Sequence, residues 1–199
     1  PLTLHLRRYP MTYPAATPHS LPEQIAEDVY VVYGSIRVNP LVSFTRNMVI
    51  VKSGEELTLI NPVRMNDEGL SALYKLGSVQ HVLRLGPLHG IDDPFYVDRY
   101  KAKMWALPGG TTYTTPAIDQ ELVEGGELPF PDASLFAFKH MTEPEGALIL
   151  QRKSNILLTT DSIQSYVTPP HKPHSTLLAR MLLPILGFPN KTIIGPIWM

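Results

Sequence analysis

The chain has no cysteine. Disulfides, iron–sulfur clusters, thiolate zinc sites and cysteine nucleophiles are thereby excluded, and any metal site has to be built from imidazole, carboxylate or backbone oxygen. An excess of charge of either sign is also missing. Lys and Arg number 17 and Asp and Glu 18, for a formal net charge of −1. Such a balance gives no electrostatic grip on nucleic acid or on an anionic membrane, and neither is expected as a partner. No apolar run reaches the roughly 18 residues that span a bilayer. The longest, over residues 177–188, is interrupted by Arg180, Pro184 and Gly187. No apolar signal-peptide core stands at the N-terminus. A cytoplasmic protein is expected, although a periplasmic protein can also lack cysteine. The sequence starts at Pro1 without an initiator Met and stops at Met199 after an apolar, strand-like run. It is expected to be part of a longer product.

What the chain does have is proline, 20 residues of it. Pro1, Pro10, Pro14, Pro18 and Pro22 fall in residues 1–24 and deny both helix and central strand, which predicts an extended arm lying on the domain or on a neighbour. Residues 25–199 are long enough for one domain with a sizeable core. Strands are expected at 29–33, 46–52 and 57–60. Residues 66–76 fit an amphipathic helix, with Leu70, Leu73 and Leu76 at helical spacing and Gly77 as its stop. A buried strand at 81–85, a short helix at 94–100 and a strand at 102–107 follow. Residues 111–131 are polar and turn-rich, a loop with a short hairpin segment. Strands at 134–139, 146–151 and 155–160, an apolar helix at 176–186 and a last strand at 191–194 complete the reading. Strands dominate early, helices intervene and strands return, which predicts a mixed α/β (α+β) layered domain rather than a regular βαβ alternation.

Three strand exits carry the chemistry. Leu88-His89-Gly90-Ile91-Asp92-Asp93-Pro94 follows the strand at 81–85, His140 ends the apolar run 135–139, and Asp161 ends the run 156–160. A metal site on a sheet edge is assembled in this way, each strand fixing one ligand. Two imidazoles and one carboxylate suit a single divalent ion with an open position. Zinc there lowers the pKa of water to about 7, and iron(II) would open oxygen chemistry instead. Asp92 or Asp93 could serve as a fourth ligand or as a general base. Each residue also has a structural reading. Asp93 before Pro94 fits a helix N-cap, Asp161 before Ser162 can close a turn, and His89 and His140 can be ordinary hydrogen-bonded histidines. His171 and His174 stand three apart, but Pro169, Pro170 and Pro173 make an extended loop of that segment. The run 108–112 lacks the helix and lysine of a phosphate cradle and reads as a turn. No nucleophile elbow surrounds Ser134, Ser154 or Ser162, so a serine hydrolase is not expected. Leu177, Leu178, Met181 and Leu182 either pack inward or form a homodimer face.

Taken in order, these elements resemble the metallo-β-lactamase superfamily over about residues 25–196. Residues 25–34 and 46–51 match its opening strands, 57–62 the strand that ends near an Asp, and 82–93 its His-x-His-x-Asp-His loop. His140 with residues 143–148 resembles the third histidine and its strand, and residues 157–161 the strand bearing the bridging aspartate. Within the superfamily the likeness is to a divergent domain-of-unknown-function branch with a Leu-His element, a Glu-containing hairpin and a strand ending in Thr-Asp. The resemblance implies a four-layer αβ/βα sandwich, two mixed sheets flanked by helices. It implies His89, His140 and Asp161 as metal ligands, Asp92 or Asp93 orienting water, and a small-molecule substrate. The departures are equally specific. On the loop, residues 87–92 keep only His89; Pro87 replaces the first His, Ile91 the catalytic Asp, and Asp92 (or Asp93, offset by one) the last His. No final histidine follows the last strand, so at most one metal is expected. Two readings result: a hydrolase-like enzyme with one zinc or iron, or a non-catalytic descendant that binds a small molecule or partner without metal.

Overall fold

The computed structural model describes residues 12–109, 112–141, 143–165, 176–182, 184–185 and 192–195. Valine and isoleucine are the commonest apolar residues of the first strands, and with the leucines beside them they build a sheet buried on both faces. Strands β1 (Glu23–Ala26), β2 (Val29–Asn39), β3 (Val42–Ser53) and β4 (Glu56–Ile60) form an antiparallel meander. Strands β5 (Ser78–Arg84), β6 (Lys103–Ala106) and β7 (Gln120–Glu121) extend it in parallel, giving a mixed sheet of seven strands in sequence order. Parallel neighbours require crossovers. Helix α1 (Asp67–Leu76) links β4 to β5, and α2 (Asp93–Tyr100) links β5 to β6.

Local chemistry sets these helices. Asn66 caps α1 by accepting from Gly69 N at 2.9 Å, Asp67 and Glu68 occupy its first turn and Lys75 its last, in accord with the helix dipole. In α2, Pro94 sits in the first turn, but the cap position belongs to Asp92, which makes no side-chain bond to the helix amides. The expected cap role of Asp93 is therefore corrected: its carboxylate turns inward to Arg84.

A second sheet contains β8 (Ala133–Ala137), β9 (Gly146–Leu150) and β10 (Ile156–Leu158) in the order β10-β9-β8, and β11 (Ile163–Ser165) pairs with β12 (Thr192–Ile194). Adjacent residues of the large sheet enter opposite cores. Ile50, Leu59, Val82 and Met104 join Leu70 and Leu73 of α1 and Phe95 and Tyr96 of α2. Their neighbours Val51, Ile60, Leu83 and Trp105 meet Leu135, Leu148, Leu150 and Leu158 of the second sheet. This two-sided burial explains why the central strands read as continuous apolar runs rather than alternating ones.

The fold is α+β, with a large mixed sheet and few helices. Two details differ from expectation. The second sheet is antiparallel throughout rather than mixed. On the far face of that sheet Phe136, Ile149 and Leu157 are exposed. Helix α3 (Leu177–Leu182) follows Thr176, whose amide donates to Ser43 O on β3 at 3.2 Å. Nor does the segment after β6 form a hairpin. Leu122, fully buried, donates from its amide to Ala106 O at 2.8 Å and so adds β7 parallel to the sheet edge. Residues 12–22 lie on the domain. Tyr13 sets its ring edge against Phe95 and donates to Asp98 at 2.5 Å, Ser35 Oγ donates to Pro18 O at 2.9 Å, and Asn66 N donates to His19 Nε2 at 2.9 Å. No helix among the described residues is long and apolar enough to cross a membrane.

Candidate functional site

Four strand ends are stitched together at one edge. Asn61, just past β4, donates from its amide to Leu83 O, accepts from Leu85 N at 3.1 Å and donates to Thr160 Oγ1 at 3.2 Å. Gly146 N, at the start of β9, donates to Leu85 O at 2.9 Å. Gly86 permits this closeness: a Cβ there would stand 3.1 Å from Thr160 and 3.4 Å from Glu145. The loops leaving β5 and β10 therefore face each other.

Across that gap His89 meets Asp161. The imidazole Nε2 lies 3.4 Å from one carboxylate oxygen, Oδ2, and 3.5 Å from the other. Oδ1 also accepts from Gln164 Nε2 at 3.2 Å, whereas Oδ2 is buried and has no hydrogen bond. A contact of 3.4 Å is long for a hydrogen bond. It is the edge length expected of a tetrahedral ion, since bonds of about 2.0–2.1 Å place two ligands about 3.3–3.4 Å apart. The pair fits as two of an ion's ligands.

Behind it stands Glu145, 1% exposed. Its Oε1 accepts from Asp161 N at 3.0 Å and from Ser162 N at 2.7 Å. Burial pushes its carboxyl above the usual range, against the pull of these bonds. Sequence reasoning missed this residue as a site member. The signal for it was the pair Glu143 and Glu145 ahead of an apolar strand, with nothing to say which would be buried.

The other predicted residues are placed differently. Asp92 and Asp93 are held by two buried arginines. Arg46 Nη1 lies 3.1 Å from Asp92 Oδ2, which also accepts from Arg64 N at 2.9 Å. Arg84 Nε lies 2.8 Å from Asp93 Oδ2, and its Nη1 donates to Tyr113 O at 3.0 Å. Asp93 is fully buried, and burial pushes its carboxyl up to about 7 against the opposing charges of Arg84 and Arg46. Asp92 is raised for the same reason, with Arg46 opposing. The geometry gives both carboxylates to ion pairs rather than to water beside His89. Neither arginine is distinguished by its sequence: Arg46 stands between Thr45 and Asn47, and Arg84 ends an apolar strand run.

His140 does not join the pair. Phe138 N donates to Glu145 O at 3.0 Å, so the β8–β9 hairpin closes there, and His140 projects from the connecting turn, exposed and with a left-handed φ of 63°. The expected convergence of His89, His140 and Asp161 is thus corrected to the His89–Asp161 pair. Among the described residues no three His, Asp or Glu side chains are grouped to hold a metal ion. His171 and His174 lie outside the described residues.

Beside this edge opens a cleft walled by Gly86, Pro87, Tyr113, Ile118 and Pro144, and Arg84 is the one charged residue among its described lining. No protein-family model matches the chain, and no curated protein matches its sequence. Solved structures do match. The DIM-1 metallo-β-lactamase exposed to ceftazidime aligns with a TM-score of 0.59 at 12% identity, over 76% of this chain and 74% of that one. This is a metallo-β-lactamase fold. A metallo-β-lactamase from Hirschia baltica aligns with a TM-score of 0.54 at 14% identity, over 75% of each chain. The metallo-β-lactamase FIM-1 from Pseudomonas aeruginosa, in its mono-zinc form, gives 0.52 at 12% identity, over 68% of this chain and 66% of that one. At such identities the likeness is one of metallo-β-lactamase fold.

Proposed function

We propose that the chain is a divergent, hydrolase-like protein of the metallo-β-lactamase fold that holds at most one divalent ion, zinc in the first instance, between His89 and Asp161. The observation that carries this reading is the 3.4 Å separation of His89 Nε2 from Asp161 Oδ2, together with the absence of a hydrogen bond at that buried oxygen. A bound ion supplies Lewis acidity toward the carbonyl of an ester or amide and makes water more acidic at neutral pH. The chain's own residues bind and orient. His89 and Asp161 are the ligands, Gln164 holds the second oxygen of Asp161, and Glu145 fixes the Asp161 backbone. The cleft beside them takes a small-molecule substrate. FIM-1, of similar fold, has been solved in a mono-zinc form.

A second reading, a non-catalytic scaffold that binds a small molecule without metal, has its own support. The Arg46–Asp92 and Arg84–Asp93 pairs already neutralise the carboxylates of the loop. Metal analysis of untagged, zinc-supplemented protein separates the two. About one equivalent is expected for the first. His89→Ala and Asp161→Ala should each remove it, and His140→Ala should leave it in place. Iron in place of zinc would move the chemistry toward oxidation. Wild-type protein that retains almost no metal sinks the first reading and leaves the second.

A further inference from the structure

We infer that the tip of the β2–β3 hairpin and helix α3 together form a docking face for an anionic phospholipid surface. This goes beyond the metal reading of the His89–Asp161 edge and does not depend on it.

Three observations carry it. First, the acidic residues are segregated. Residues 29–54 and 162–199 contain no Asp or Glu, so all 18 acidic residues lie outside these two segments, which hold six of the 17 Lys and Arg. The net charge of −1 is therefore an average over an acidic body and an acid-free part, and a charged surface meets the local sign. The fold brings the two segments together. Thr176 N donates to Ser43 O at 3.2 Å, Ser43 N donates to Thr176 Oγ1 at 3.3 Å, and α3 packs on β3. Arg37 and Arg180 are exposed there.

Second, the same place presents large apolar side chains. Val38, Leu41, Leu177, Met181 and Ile185 are 61–81% exposed. Leu41 stands two residues from Ser43, and Leu177 follows Thr176, so both groups spring from the same pair of hydrogen bonds. Helix α3 buries Ala179 and leaves Leu177 and Met181 outward. Single exposed apolar residues need no explanation, but a cluster of them does. Apolar side chains set among cations, with no acid nearby in the chain, suit an interface. The apolar ends enter the acyl boundary while the guanidinium groups stay at the phosphates.

Third, the face projects. Strands β2 and β3 pair from Val29 with Val51 out to Asn39 with Val42, whereas β1 pairs only with Val29–Val31 and β4 only with Val49–Ser53. The arm follows β2 as far as Ser35. Beyond that the hairpin runs past its neighbours as a two-stranded ribbon with Val38 and Leu41 at its tip. Ligand sites are concave. A projecting tip has no walls to enclose a peptide, but it can enter a fluid layer.

The test co-sediments the full chain with vesicles of phosphatidylcholine alone and of an equimolar mixture with phosphatidylglycerol. Binding should be about tenfold or more stronger on the mixed vesicles and should weaken at high salt. Arg37→Gln with Arg180→Gln should weaken it about fivefold for each charge removed. Leu41→Ser with Met181→Ser should weaken it by about tenfold or more, through the apolar area withdrawn. All four positions are exposed, so the circular dichroism spectrum should be retained. Leu157→Ser, at a leucine exposed on the second sheet, should leave binding unchanged. No preference for the mixed vesicles, no loss in either double variant, or an equal loss in Leu157→Ser would overturn the inference. Sedimentation velocity without lipid tests the other occupant. A monomer is expected; a dimer that Leu41→Ser with Met181→Ser dissociates would give the face to a second copy of the chain and overturn the lipid assignment.

Discussion

Asp93 is fully buried, and its two carboxylate oxygens lack well-aligned hydrogen bonds even though Arg84 Nε is 2.8 Å away. Desolvation of the charged form therefore outweighs the guanidinium, and the carboxyl is pushed up to about 7. An unfolded Asp titrates near 3.9. Between those values the folded chain binds the proton and the unfolded chain does not, so this group's contribution to stability falls as pH rises. It is fully present below about pH 4 and lost as pH climbs through about 7. Asp93→Asn removes the titration while keeping the shape. In urea unfolding, the stability of wild type minus that of Asp93→Asn should decline from pH 4 to pH 7. A difference that rises over this range would mean that Arg84 holds the carboxyl low and ionised. The residue's partner explains why its role was not legible. Asp93-Pro94 is a strong local signal for a helix start, and the helix does start there, but the carboxylate's destination was set by Arg84 on a different element. His89 and Asp161 show the opposite case. Each stands at the exit of a strand, His89 after β5 of the large sheet and Asp161 after β10 of the second, and these two exits face each other across the sandwich.

Elements set by their own pattern were readable, and those set by a neighbour were not. Helix α1 runs over Asp67–Leu76 with its cap at Asn66, because the leucine spacing, the polar cap and Gly77 all lie within the segment. Strand β1 has four residues, two of them polar, and β7 has two, Gln120 and Glu121; both are too short to show a pattern and are set by the strand beside them. The β8–β9 hairpin shows how a small error in an element moves a site. The apolar run reaches Phe138, but the ladder ends with Phe138 N donating to Glu145 O, which puts His140 in the turn and Glu145 at the functional edge. Glu145 then ties that hairpin to the β10–β11 corner through the amides of Asp161 and Ser162. Glu145→Ala strands the buried amide of Ser162 and the half-buried amide of Asp161, and should cost about 1–3 kcal/mol in thermal or urea unfolding. Glu145→Gln keeps an acceptor oxygen at the same reach and should cost distinctly less. Equal losses from the two substitutions would show that the charge, not the bridging oxygen, holds the corner.

At the scale of the whole molecule, the arrangement turns on which face of the second sheet is inside. Leu148 is fully buried between the sheets, whereas Leu157, on the adjacent strand, is 53% exposed on the far face. They are separated by a single step of register, since Leu158 pairs with Leu148 and Leu157 with Ile149. A one-residue slip would exchange the faces. Leu148→Ala should therefore cost 2–5 kcal/mol, the range for truncating a buried leucine. Leu157→Ala should stay within about 0.5 kcal/mol, as at other surface positions. Paired urea unfolding of the two variants thus tests the register itself. Equal losses at Leu148 and Leu157 would show that the pairing of β9 with β10 does not turn the first residue inward and the second outward.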